Sequence, residues 1–120
     1  MSDKEIEQLI LDKGLTKPRV TPKDIEDSIL EVVYFNGLHA VGSAAATLNP
    51  ITIQTLSLNT FCVIVLKNGY SVEGKSVCAS PENFGEEVGR RIAYENAIQE
   101  IWPLLGFLLK EKLHRGELPE

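Results

Sequence analysis

Arginines are the side chains of this sequence best suited to hold a ligand, because a guanidinium can bind a phosphate through two hydrogen bonds. Arg19 lies between Pro18 and Val20 in an extended segment, where the sequence offers it no helical partner. Arg90 and Arg91 are adjacent on a predicted helix, and each follows a glutamate by four residues, a spacing that also fits solvated ion pairs. All three are candidate anion ligands, and ion pairing is the alternative for the two on the helix.

Two further side chains on the same predicted helix could complete a ligand site. Phe84, in the first turn, belongs either to the core or to a groove in which its ring stacks on a purine. Asn96 lies on the polar side of the helix with Arg91, where it faces solvent or reads the edge of a base. Tyr70, beside a predicted turn, has the same ambiguity as Phe84.

The sequence offers few residues for catalysis. His39 and His114 lie in no recognisable motif, and no nucleophile motif or phosphate-binding glycine loop is present. Cys62 and Cys78 form neither a CxxC pair nor a metal-ligand spacing, so we predict two reduced thiols. We therefore expect a binding protein rather than an enzyme, with no catalytic residues, no metal and no cofactor.

The elements that must position these residues predict an α+β fold. We expect an antiparallel β-hairpin or small sheet packed with N-terminal helices and with a long C-terminal helix that a proline kinks. A chain of 120 residues has the usual size of one domain, which we place over residues 1–120. The predicted segments are an N-terminal helix (1–14), a linker and helix (15–36), a β-hairpin (58–78) and a kinked helix pair (81–114).

The second segment carries a strong helix-start signal. Thr21 is a predicted N-cap and Pro22 occupies the first helical position. An apolar face through Ile25 and Val32 predicts that this helix continues to about Asn36.

Residues 37–57 stay open between two interpretations. Small residues dominate the first half, and Asn49 with Pro50 indicates a turn. Ile51 and Ile53 alternate with polar neighbours, which fits a short edge strand; a mobile loop is the alternative.

Asn68 and Gly69 between two apolar runs are the strongest local signal for a β-hairpin. A two-residue loop would place Val65 opposite Val72. The other face of the hairpin, with Cys62, Ile64 and Leu66, is unusually apolar, so we expect a helix or another subunit to cover it. The predicted core face holds Phe61, Val63, Val65, Tyr70 and Val72.

The last segment begins with a serine and a proline in capping positions. Ser80 is the predicted N-cap of a helix with Pro81 at its first position. Pro103 predicts a break or kink just after Trp102, and Gly116 predicts the end of the second helical piece.

Composition limits the partners of the protein. The net charge of −5 and the absence of a basic block disfavour duplex nucleic acid. No apolar run reaches the roughly 20 residues that span a bilayer, and the acidic, amphipathic start MSDKEIEQLI differs from a secretory signal. We expect an intracellular domain that does not enter a membrane.

Several strings of the sequence, in their order along the chain, resemble one family. They are the segment KPRVTPKDIE from Lys17, then SPENF from Ser80, GRRIA from Gly89 and IWPL from Ile101. This resembles a family of small phage-encoded proteins named after gene forty-nine of one phage and gene sixty-six of another. The best understood branch, the Thoeris anti-defence one proteins, binds cyclic ADP-ribose isomers made by bacterial TIR immune enzymes, and also cyclic oligonucleotide signals.

The resemblance implies a function and a set of ligand-binding residues. It implies sequestration of such signals in the host cytoplasm without cleavage, by a homo-oligomer, a dimer or an assembly of dimers, with pockets at subunit interfaces. Arginines would bind phosphates, Phe84 would stack on adenine, and Asn83 or Asn96 would hydrogen-bond to base or ribose. The residues carried over by position are Arg19, Thr21, Asn83, Phe84, Arg90, Arg91 and Asn96.

A second interpretation gives the protein a macromolecular partner. A phage accessory protein could bind a host protein through the exposed hairpin face and the N-terminal helix. A third, an enzyme that hydrolyses a nucleotide signal, has the least support from the residues present.

Overall fold

The computed structural model describes residues 2–15 and 17–118. They contain helices α1 to α5 and a three-stranded antiparallel sheet of order β1-β2-β3, so the predicted α+β class is confirmed. The elements are α1 (Asp3–Asp12), α2 (Pro22–Ser28), β1 (Ile29–Asn36), α3 (Gly37–Val41), a 3-10 helix (Gly42–Thr47), α4 (Pro50–Ser57), β2 (Asn59–Leu66), β3 (Ser71–Val77), a second 3-10 helix (Pro81–Asn83) and α5 (Glu86–His114).

The predicted start of α2 is confirmed, whereas its predicted length is wrong. Thr21 caps the helix through a capping box with Asp24, and Pro22 is the first helical residue. The helix ends at Ser28, and residues 29–36 form β1 instead of continuing it. Adjacent β-branched and aromatic residues favour a strand here, because pairing with β2 places them on a pleated surface.

Neither interpretation of residues 37–57 is correct, because the segment is mostly helical. It contains α3, the first 3-10 helix and α4, and His39 lies exposed on α3. Asn49 and Pro50, interpreted as a turn, are the N-cap and first residue of α4, and Asn49 Oδ1 accepts a hydrogen bond from Ile51 N at 2.8 Å.

The hairpin turns at the predicted place, but its register is shifted by one residue. Three residues, from Lys67 to Gly69, form the loop, and Gly69 alone has a positive φ, at 88°. This is a type I turn followed by a left-handed glycine, which puts Ile64 rather than Val65 opposite Val72. A shift of one residue exchanges the two faces of the strand, so the predicted core face is wrong.

The face with Cys62, Ile64 and Leu66 is the buried one, and α5 covers it. A covering helix was one of the two predicted alternatives. Gly74 of β3 allows the close approach, because a Cβ there would lie 2.2 Å from the carbonyl oxygen of Ala93. Cys62 and Cys78 are free thiols, as predicted, and burial raises the pKa of Cys62. The buried core consists of Ile25, Cys62, Ile64, Leu66, Val72, Ala93, Ala97, Ile98 and Ile101.

α5 differs from the predicted helix pair at its start and at its proline. Ser80 and Pro81 begin only a short 3-10 helix, and α5 itself begins at Glu86 after Gly85. The sequence predicted a break or a kink just after Trp102. The break is wrong, because α5 runs through Pro103 to His114. Gly116, with φ of 71°, follows the end of the helix as predicted.

Candidate functional site

Arg90 lies on the side of α5 that faces β1. Its guanidinium carbon is 5.6 Å from the centre of the Tyr34 ring, a cation–π contact. Its Nη2 is 3.1 Å from Glu86 Oε1, so the predicted ion pair between these two residues is confirmed. Burial raises the pKa of Tyr34 above its ordinary value. The guanidinium of Arg90 is thus oriented by a ring and a carboxylate and is still about half exposed.

Arg91 is exposed and, within the described ranges, makes neither an ion pair nor a hydrogen bond. The predicted pair with Glu87 does not form. Just before α5, Asn83 is exposed in the second 3-10 helix and Phe84 is half-buried. The start of α5 therefore presents a cation, an amide and a ring to solvent.

Asn96 lies on the other side of α5 and is already engaged. Its Nδ2 donates a hydrogen bond to the backbone oxygen of Lys75 at 2.9 Å, which joins α5 to β3. β1 and β3 are the two edges of the sheet, so Asn96 and Arg90 contact opposite edges. The structure does not bring these two predicted ligand residues together within one chain.

Arg19 has a partner that the sequence did not reveal. Its Nη1 and Nη2 donate to the two carboxylate oxygens of Glu7 on α1, at 2.6 Å and 3.0 Å. Both side chains are about four-fifths covered. These hydrogen bonds lower the pKa of Glu7 and raise that of Arg19. The expectation that no helix partner explains Arg19 is therefore wrong. Thr21 is likewise occupied, because its side chain caps α2.

The predicted site residues form two groups along α5. Arg19 lines a groove of about 480 Å³ together with Leu105 and Lys112 of the C-terminal half of α5. Leu105 follows Arg91 by 14 positions, which correspond to about 21 Å of helix. This is farther than two arginine side chains reach toward one phosphate. Arg19 with Thr21 forms one group, and Arg90 and Arg91 with Asn83 and Phe84 form the other.

One face of the sheet has no covering element among the described residues. Phe35 and Phe61 stack on it with ring centres 5.2 Å apart, and Val33 and Val77 are 45% and 59% exposed. Val63 lies between Val33 and Glu73 in the middle of this surface, which we call the open face. The sequence analysis placed the hairpin residues of this face, Phe61 and Val63 among them, in the core, because the predicted hairpin register differs by one residue from the observed one.

Three contact residues were missed at the sequence level. Glu7 and Tyr34 bind the two groups of arginines, and Trp102 donates from Nε1 to Asp3 of α1 at 3.3 Å. No local signal joins residues 99 positions apart in the chain. The strand pattern of β1 would have placed Tyr34 on a sheet face.

The fold and these contacts define a small α+β protein that exposes arginine, amide and aromatic side chains beside a long helix. The chain belongs to the phage protein (N4 Gp49/phage Sf6 gene 66) family, whose model matches residues 20–113, from α2 to the end of α5. No curated protein and no solved structure matches the chain. No helix in the described part of the chain is long and apolar enough to cross a membrane.

Proposed function

We propose that this phage protein is an anti-defence protein that binds and sequesters cyclic nucleotide immune signals in the host cytoplasm without cleaving them. The ligands are cyclic ADP-ribose isomers of the Thoeris system, together with cyclic oligonucleotides. The observation that supports this most is the exposed Arg91, which has no ion-pair partner in the described residues and follows Arg90 on a helix of a phage family protein.

The residues at and just before the start of α5 fit the parts of such a ligand. A guanidinium binds a phosphate through two charge-assisted hydrogen bonds, and Arg90 needs to release only the exposed carboxylate of Glu86 to do the same. Phe84 offers a ring for a base, and Asn83 offers both a donor and an acceptor. Asn96 and Thr21 would bind ligand only after losing their present hydrogen bonds, so we give them minor roles.

Sequestration requires tight binding, and a second copy of the chain would enclose the ligand. Submicromolar affinity corresponds to more than about 8 kcal/mol, which a site open to solvent on one helix rarely provides. The open face supplies an apolar surface on which copies can associate. We propose that a homo-oligomer built on this face forms pockets between subunits.

Recovery of intact ligand tests this function. The protein is incubated with cyclic ADP-ribose isomers and with cyclic di- and trinucleotides, the free ligand is measured, and the protein is then denatured by heat. Depletion followed by release of unchanged ligand supports sequestration, whereas a cleaved product shows an enzyme.

Arg91→Ala and Arg115→Ala form a matched pair for the same measurement. Loss of a charge-assisted contact costs about 1.5–3 kcal/mol, so we expect ligand capture by Arg91→Ala to weaken roughly ten- to a hundredfold. Arg115, exposed beyond the far end of α5, is paired with Glu111 and Glu117, and its removal should leave capture unchanged. Equal capture by both variants would show that the site is not at Arg91.

The open face also favours a second candidate function, the binding of a host protein. An exposed apolar sheet surface next to charged side chains such as Glu73 and Lys75 is typical of protein interfaces. No depletion of any nucleotide, combined with a monomeric protein, would favour this candidate.

A further inference from the structure

Helix α1 is attached to the rest of the protein by its carboxylates. Glu7 accepts both hydrogen bonds from the guanidinium of Arg19, at 2.6 Å and 3.0 Å. Asp3, four residues earlier and thus on the same side of the helix, accepts from Trp102 Nε1 at 3.3 Å. The carboxylates of Glu7 and Asp3 therefore accept hydrogen bonds from the Arg19 guanidinium and from the Trp102 indole on the same side of α1.

Apolar packing contributes little to this attachment. No residue of α1 is buried, and Ile6, Leu9 and Leu11 are 41%, 40% and 48% exposed. A cleft of about 210 Å³ remains between α1 and the body of the protein, lined by residues that include Glu7, Val20 and Trp102. A free helix of ten residues is marginal in water, so α1 depends on these few contacts for its position.

The partners of α1 are suited to a phosphorylated ligand. The guanidinium of Arg19 meets a carboxylate in the two-bond geometry that it also uses for phosphate. Lys112 lines the adjoining groove with Arg19 and adds a second cation. Two acidic residues also line that groove: Asp27 pairs with Lys23, and Asp24 accepts a hydrogen bond from Thr21 N.

We propose that Arg19 and Trp102 form an anion site that α1 closes from within the chain, and that a diphosphate-bearing small molecule opens it by replacing Glu7 and Asp3. α1 is then a latch whose release exposes the donors of Arg19 and Trp102, next to the groove that Arg19 lines together with Leu105 and Lys112. This goes beyond the proposed function, because Trp102 lies about 17 Å along α5 from Arg91 and the site requires no cyclic nucleotide.

Pyrophosphate is the probe that tests the latch, with the full chain and at constant ionic strength. Trp102 is the single tryptophan of the protein, so its fluorescence reports the loss of the Asp3 contact. Hydrogen exchange over residues 3–12 reports the release of α1 in the same samples. We expect pyrophosphate to change both signals, whereas sodium chloride of equal ionic strength does not.

Glu7→Gln and Glu5→Gln are matched variants, because both remove one negative charge from α1 and only Glu7 contacts Arg19. We expect Glu7→Gln to respond at a pyrophosphate concentration several-fold lower than wild type, up to about tenfold if the closed form is nine-tenths populated. Glu5→Gln should respond like wild type.

Arg19→Gln completes the test. It should release α1 without pyrophosphate and abolish the response, while hydrogen exchange in β2 stays that of wild type and shows that the fold is intact. Three results would each overturn the proposal: no response to pyrophosphate in any variant, identical midpoints for the two glutamate variants, or a wild-type response from Arg19→Gln.

Discussion

Gly74→Ala tests whether the close contact between β3 and α5 determines the position of the helix that carries Arg90 and Arg91. A Cβ at this position would lie 2.2 Å from Ala93 O and 2.3 Å from Ala97 N, both backbone atoms of α5. Ordinary contacts begin at 3.4 Å, so α5 must move away by about 1.2 Å. Side-chain rotation cannot relieve a clash with backbone.

The magnitude follows from two opposing effects. Overpacking of this kind costs about 1–3 kcal/mol and sometimes more, and loss of the glycine returns only about 0.5–1 kcal/mol of backbone entropy. Because a whole helix must shift, we expect a net loss of about 3 kcal/mol. With a urea slope near 1.5 kcal/mol/M, the unfolding midpoint falls by roughly 2 M.

Gly106→Ala is the control for this substitution. Gly106 lies within α5, and a Cβ there would meet nothing within 4 Å. Alanine should raise the stability by about 0.5–1 kcal/mol, because glycine inside a helix carries that penalty. If urea unfolding, followed by circular dichroism, shows Gly74→Ala to be as stable as wild type, then the packing of α5 on β3 described above is wrong.

Two other predictions concern α1 and the open face. The hydrogen bonds from Arg19 are the main reason why the pKa of Glu7 is lowered, and burial and Asp24 oppose them. The attachment of α1 is therefore complete above pH 4.5 and is lost as the pH falls through the lower pKa of the folded state. Trp102 fluorescence should report this transition, and Glu7→Gln should lack it. On the open face, Val63→Asp should convert an oligomer to monomers, measured by light scattering, with little change in the urea midpoint. Ser71→Asp, at the margin of the same face, should leave the oligomer intact. A monomeric wild-type protein would contradict the proposed assembly.

Local signals predicted the start of helical turns at Thr21 and Ser80, but not how far they continue, and the same signal at Asn49 was interpreted as a turn. A polar N-cap residue followed by proline occurs at Thr21, Asn49 and Ser80, and each pair begins a helix or a 3-10 turn, although the Ser80 side chain makes no capping hydrogen bond. The cap and the fixed φ of proline specify the first turn alone. Continuation depends on tertiary packing, which is why the helix after Thr21 ends at Ser28 and the turn after Ser80 ends at Asn83.

The register of the hairpin shows how a small local choice changes a functional conclusion. Asn68-Gly69 favours a two-residue loop but also fits a three-residue loop, and the pairing of Ile64 with Val72 shows that the loop has three residues. The sequence contained the deciding observation, since the Cys62, Ile64 and Leu66 face was too apolar for a surface. With the correct register, Glu73 and Lys75 share a face with Phe61 and Val63, and this face is the one available to a partner.

The family match and the geometry together separate the two groups of arginines. The match begins at Val20, so it covers Arg90 and Arg91 but neither Arg19 nor α1. The family match therefore includes the start of α5, where Arg91 has no ion-pair partner among the described residues and Arg90 contacts Tyr34. The role of Arg19 must instead be argued from its own contacts, and those are with a carboxylate that occupies the guanidinium as a phosphate would. A ligand that reaches Arg19 must first displace Glu7, whereas a ligand at Arg91 displaces only water, so the two groups should differ in their dependence on α1.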